Sequence, residues 1–177
     1  MTLGVLLTPG ASATRDHSQL VAIDKALAAE GAAVKRIDLP SSRPGPTVIQ
    51  AIVEGAAALK ADRVFLGGRS FGGRMCSVAV AEGLPAAGLI LVSYPLHPPG
   101  RPDQRRVDHF AQLTVPCLFV SGTRDAFATP DELEGATKAI PGQVTHVWID
   151  GGGHGLRGRD APVAEAVREW VRARAAL

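Results

Sequence analysis

Short apolar runs alternate along this chain with longer stretches whose apolar positions recur every three or four residues. Six runs read as strands: Leu3–Leu7, Ala33–Leu39, Arg63–Leu66, Ala87–Ser93, Val115–Val120 and Val144–Ile149. Most stop at glycine, proline or a polar turn residue. Leu89-Ile90-Leu91-Val92 has no polar break, as expected of a strand covered on both faces. Between the runs lie helical patterns. Asp16–Glu30 carries Leu20, Ile23 and Leu27 at helical spacing and stops before Gly31, which suits the left-handed position after a helix. Thr47-Val48-Ile49-Gln50 has the form of a capping box and predicts a helix to Lys60. Phe71–Glu82 predicts a helix whose small residues Gly72, Gly73, Cys76 and Ala79 permit close approach to a sheet. A short helix is expected within Asp103–Leu113. Thr129-Pro130-Asp131-Glu132 supplies an N-cap threonine, a proline at the first helical place and a capping-box glutamate. The last helix begins near Asp160, with Val163, Val167, Trp170 and Val171 on one face.

Strand and helix alternate throughout. The expected fold is therefore α/β, a mostly parallel, six-stranded, doubly wound sheet with helices on both faces. Pro40–Pro46 and Tyr94–Pro102 read as irregular loops, and with neither repeat nor low-complexity tract the 177 residues predict one domain, 1–177. Apolar residues make up 46% and charged residues 20%, which suits a soluble globular protein. The 19 basic and 17 acidic side chains leave a scattered net charge of +2, so no nucleic-acid partner is expected. Arg101, Arg105 and Arg106 read as a solvated loop. Cys76 and Cys117 lack C-x-x-C spacing and read as small buried thiols. Met1 leads straight into the first strand without a basic segment or a long apolar one. The expectation is a cytoplasmic protein with neither signal peptide nor membrane span.

Such sheets bind ligands beyond the C-terminal ends of their strands. The chemically capable residues sit at those ends: Gly10 and Ala11 after the first strand, Ser70 after the third, Asp125 after the fifth and His154 after the sixth. Gly68, Ser70 and Gly72 form G-x-S-x-G, the pattern of a nucleophile elbow. A serine on a tight strand-to-helix turn crowds the backbone two residues to either side, so those places need to lack a Cβ. A serine hydroxyl needs an adjacent base to act as a nucleophile. His154 is the candidate base and Asp125 the group that fixes its tautomer and stabilises the imidazolium. The Phe71 N–H, just after the serine, and the Ala11 N–H, in the first turn, are the candidate oxyanion-hole donors. Among the other histidines, His17 and His109 read as surface residues and His146 as part of a strand, while His97 is a candidate for lining the pocket. Gly67–Gly73 matches neither the phosphate-loop nor the dinucleotide fingerprint. No His, Asp or Glu cluster has metal-ligand spacing, so no cofactor or metal is expected.

Leu7-Thr8-Pro9-Gly10-Ala11-Ser12, Phe65–Arg74, Ser93-Tyr94-Pro95-Leu96-His97-Pro98, Phe119–Asp125 and Gly153-His154 together span nearly the whole chain. On these stretches the sequence resembles the small α/β-hydrolase-like proteins of the dienelactone-hydrolase type. Within them it is most similar to the subgroup that includes testis-expressed vertebrate members and a subunit of the NSL histone-acetyltransferase complex. The resemblance implies a minimal α/β-hydrolase core that begins at the family's third strand and carries no cap domain. It also implies that Ser70, His154 and Asp125 act as a triad. Pro9 departs from the family, which places a histidine there to brace the oxyanion loop; a proline donates no hydrogen bond. Arg69 agrees with the subgroup and is expected to pair with a buried carboxylate rather than touch substrate. The expected activity is that of a serine hydrolase cleaving small ester-type substrates through an acyl-enzyme. The pocket is expected to be shallow and open, suited to small or flexible acyl groups. Either a monomer or a homodimer fits. The alternative is a non-catalytic binding or scaffold module on the same fold, but a scaffold has no reason to keep these three side chains at three strand ends.

Overall fold

A computed structural model describes residues 1–175. Its strands are β1 (Leu3–Thr8), β2 (Ala33–Arg36), β3 (Arg63–Arg69), β4 (Gly88–Val92), β5 (Cys117–Gly122) and β6 (Val144–Ile149). Its helices are α1 (Ser18–Ala28), α2 (Pro46–Ala57), α3 (Phe71–Ala81), α4 (Pro130–Thr137) and α5 (Asp160–Ala175). The strands form one sheet in the order β2-β1-β3-β4-β5-β6, and all five pairings are parallel. This is the α/β-hydrolase architecture, and among the described residues no cap domain is added to it.

Strand alternation decides which helices cover which face. Val5, Leu7, Phe65, Ile90, Val92, Leu118 and Val120 point to one side, where Leu20, Ile23 and Leu27 of α1 and Val163, Val167 and Trp170 of α5 meet them. Their neighbours Leu6, Leu66, Leu89, Leu91 and Phe119 point to the other side, against Val48 and Ile52 of α2, Met75 and Ala79 of α3 and Leu133 of α4. Every residue of β4 is buried, as its unbroken apolar run predicts.

Several boundaries differ from the expectation: β3 runs on from Leu66 to Arg69, β5 is shifted to Cys117–Gly122, α1 is trimmed to Ser18–Ala28, and three further differences have a local cause. β2 stops at Arg36 because it is an edge strand beside a proline loop, although the Ile37 N–H still donates to the Leu7 carbonyl at 3.1 Å. α2 starts at Pro46 with Gly45 as its cap, and Thr47 makes no capping bond. Proline prefers the first helical position, so the helix begins two residues early and Thr47 falls inside its first turn. The segment Asp103–Leu113 forms only a 3₁₀ turn over Phe110–Gln112. Its apolar positions Val107, Phe110 and Leu113 recur every three residues, the period of that tighter helix rather than of an α-helix.

Candidate active site

The sheet order reverses between β1 and β3, since β2 lies outside one and β4 outside the other. In a doubly wound sheet that reversal opens a crevice beyond the strand ends. Ser70 sits at its base, with φ 50° and ψ −120°. Left-handed backbone at a non-glycine residue is costly and persists only where the surroundings enforce it. They do so here. The Ser70 N–H donates to the Val92 carbonyl of β4 at 2.8 Å, and its carbonyl accepts from the Arg74 N–H at 3.0 Å to start α3. A Cβ on Gly68 would lie 2.1 Å from the Thr8 carbonyl oxygen, and one on Gly72 would lie 2.3 Å from that of Pro9. Both glycines of the elbow are thus required by contact with the end of β1.

The loops after β5 and β6 bring the other two residues to the serine. Arg124 N–H donates to the Gly152 carbonyl at 2.9 Å, and Gly151 N–H donates to Thr123 Oγ1 at 2.8 Å. Stitched together in this way, the loops place His154 Nε2 2.8 Å from Ser70 Oγ. The opposite ring nitrogen, Nδ1, lies 3.0 Å and 2.9 Å from the two oxygens of Asp125. A carboxylate can only accept, so Nδ1 carries the hydrogen and Nε2 is left to accept from the Ser70 hydroxyl. Asp125 is only 2% exposed, and its Oδ1 also accepts the Phe127 N–H at 2.8 Å.

The Phe71 N–H is one of the unpaired donors at the first turn of α3. Phe71 and Ala11 both border the cleft, whose volume is about 380 Å³. The first loop has support that does not need the absent histidine. Ala13 N–H donates back to the Gly10 carbonyl at 3.2 Å, and Ser12 N–H donates to Ser42 Oγ at 3.0 Å. Pro9 itself lies directly against Gly72.

Several side chains differ from their sequence-based roles. Arg69 finds no carboxylate partner. Its Nε donates to Gln19 Oε1 at 3.0 Å and its Nη2 to the His154 carbonyl at 2.9 Å. Burial lowers its pKa from the ordinary value, while the charges of Asp125 and Asp160 oppose that shift. His97 is buried away from the cleft. Its Nδ1 meets the Pro98 carbonyl at 2.8 Å and its Nε2 meets Glu132 Oε2 at 3.0 Å. Both partners are acceptors, so they favour the protonated ring, and the bonds to Pro98 and Glu132 raise its pKa. His17 is the N-cap of α1, accepting the Gln19 N–H at 3.3 Å. His109 is half-buried against α3, with Nε2 2.7 Å from Ser77 Oγ. Arg106 leaves the solvated loop expected of it and borders the cleft together with Arg69 and Arg74. None of these three guanidinium groups forms an ion pair among the described residues, so the cleft is positively charged.

Two contributors carry little signal in the sequence. Gln19 of α1 is 1% exposed, and its amide nitrogen donates to the carbonyls of Gly155 at 2.8 Å and Leu156 at 3.1 Å. With Arg69 it grips three consecutive residues of the histidine loop. The Phe127 ring stacks on the His154 imidazole with centroids 3.9 Å apart and planes 24° apart. Only its place two residues after Asp125, where an Asx turn can return an N–H to the carboxylate, hints at a role.

The chain matches the family described as alpha/beta hydrolase domain over residues 2–176 and belongs to it. Solved structures agree on the fold. Est1E from Butyrivibrio proteoclasticus superposes with a TM-score of 0.85 at 21% identity, across 99% of this chain and 89% of that one. A dienelactone hydrolase from Anabaena variabilis superposes with a TM-score of 0.78 at 19% identity, across 97% and 86%. A thermophilic esterase from Thermogutta terrifontis does so with a TM-score of 0.72 at 23% identity, across 98% and 91%. The narrower likeness to the testis-expressed and NSL-complex subgroup gains no support from these relatives. Among the described residues, no helix is long and apolar enough to cross a membrane.

Proposed function

We propose that this chain is a serine hydrolase that cleaves small ester-type substrates through an acyl-enzyme. One observation carries the reading: the unbroken path from Ser70 Oγ to His154 Nε2 at 2.8 Å and from His154 Nδ1 to Asp125 Oδ2 at 2.9 Å. That path lies at the base of a cleft in a fold whose structural neighbours include a protein described as an esterase and another solved with ferulic acid bound. His154 accepts the Ser70 proton as the oxygen attacks the ester carbonyl, and then returns it to the leaving alcohol. Asp125 holds the ring in the required tautomer and stabilises the imidazolium. The tetrahedral oxyanion points to the Phe71 and Ala11 N–H groups. The N-terminus of α3 and the three unpaired guanidinium groups make the surroundings favourable to that charge. Hydrolysis of the acyl-enzyme needs only water in place of the alcohol, with His154 again as the base.

The test is labelling by a fluorophosphonate together with hydrolysis of p-nitrophenyl acetate, for the wild type and Ser70→Ala. The wild type should label and turn over, and the variant should lose the label and several orders of magnitude in kcat. A folded wild type that does neither, or a variant that keeps both, would remove the reading.

A further inference from the structure

A second hollow, of about 550 Å³, adjoins the cleft. Pro44 and Arg74 belong to the walls of both, so the two lie side by side. The hollow is a groove between the start of α2 and one face of α3. Arg74, Val78 and Glu82 follow Ser70 at intervals of four residues and so form a single stripe along α3 that leads away from the serine. Pro44, Pro46 and Ile49 make the facing wall. Apart from Gln50, the walls between Arg74 and Glu82 are therefore apolar. The helix rises 1.5 Å per residue, so Val78 lies about 12 Å from Ser70 along the axis. An extended chain advances about 1.2 Å per bond, so roughly ten bonds span that distance.

From this placement we infer that the longer apolar arm of the ester lies along the α2–α3 groove, which makes medium-length, unbranched apolar esters the preferred substrates. The inference rests on the serine-hydrolase reading, because it takes Ser70 as the point where the arm begins. It gives the flexible groups expected of a shallow, open pocket a defined direction in which to lie. The shared walls select the occupant: a groove that begins beside Arg74, one helical turn from Ser70, and runs on along Met75, Val78, Pro46 and Ile49 fits a flexible chain attached to the reacting carbonyl. A methylene placed in such a groove leaves water on one side only, which should raise kcat/KM by about twofold for each one added. The gain should fade beyond roughly ten bonds, once the chain has passed Val78 and approaches Glu82 and the exposed Gln50.

The experiment measures kcat/KM for p-nitrophenyl esters of lengthening acyl chain, and for acetates of lengthening linear alcohols, below their micelle concentrations. Wild type, Val78→Trp and Gln50→Trp are compared. Gln50 is exposed, so the second variant fills the groove without disturbing the core. One series should rise with length to roughly ten bonds in the wild type, and both variants should lose that rise while keeping wild-type turnover of p-nitrophenyl acetate. Flat or falling profiles in both series, or a rise that survives in the variants, would overturn the groove assignment while fluorophosphonate labelling and acetate turnover leave the hydrolase reading standing. Absence of both labelling and turnover would overturn the two together.

Discussion

Replacing Gln19 tests whether the geometry at Ser70 is held by side chains that never touch a substrate. The amide makes three hydrogen bonds in a nearly water-free site: it accepts from Arg69 Nε at 3.0 Å and donates to the carbonyls of Gly155 at 2.8 Å and Leu156 at 3.1 Å. A neutral hydrogen bond contributes about 1 kcal/mol net, and one to a charged group about 1.5–3 kcal/mol. Gln19→Ala should therefore cost about 4 kcal/mol of stability. For a domain of this size that lowers Tm by about 8–16 °C. The same change frees the loop that carries His154, and a misplacement of about 1 Å near a reacting centre costs about a hundredfold in rate. The expected result is a fall of about ten- to a hundredfold in kcat for p-nitrophenyl acetate with little change in KM. Gln19→Glu separates the two halves of the brace. It keeps an acceptor for Arg69 but sets carboxylate oxygens against the two carbonyls, so its kcat should fall as far as that of the alanine variant. If either variant melts at the wild-type temperature and keeps the wild-type kcat, the bracing role is wrong.

Three other measurements bear on the same site and its surroundings. Asp125→Asn leaves the fold in place but lets the imidazole adopt the wrong tautomer, so kcat should fall by about 10⁴-fold with the melting temperature little changed, and a loss under tenfold would contradict the assigned role. Gly72→Ala drives a Cβ to within 2.3 Å of the Pro9 carbonyl oxygen and 2.5 Å of Thr8 Oγ1. Backbone must move, and the moved strand end carries the loop of Ala11, so kcat should drop by about 10²–10³-fold, as for loss of one oxyanion donor. Burial, with the Arg74 cation adding to it, pushes the His109 pKa down to about 4. The unfolded chain then binds the extra proton first, so stability should decline as pH falls from about 6.5 towards 4. Urea midpoints followed across that range for wild type and His109→Gln should show a smaller decline in the variant; equal slopes would refute the linkage.

The chain order of apolar runs, the elbow glycines and the strand-end positions of Ser70, Asp125 and His154 are legible in the amino-acid sequence alone. All are consequences of local chemistry: side-chain alternation, the steric demands of a sharp turn and the need of a hydroxyl nucleophile for a base. Helix starts are legible only where a single device acts. Thr129 caps α4 as its capping box predicts, whereas at α2 Pro46 and Thr47 compete, and the rigid ring prevails. What tertiary structure alone decides is which distant side chains meet. Gln19 grips residues more than 130 positions away, and nothing in its neighbourhood marks it out from other helical glutamines. Arg106 reads as a solvated arginine until the fold turns its loop over the cleft beside Arg74. His97 follows a strand near the elbow, yet Glu132 of α4 draws it the other way. The groove along α3 exists only because the start of α2 stands opposite the stripe of Arg74 and Val78. A sequence encodes the periodicity and steric limits of each segment, which act over a few residues. Hydrogen-bond partners and cavity walls depend on the crossing of segments far apart in the chain, and that crossing is set by packing the two faces of the sheet.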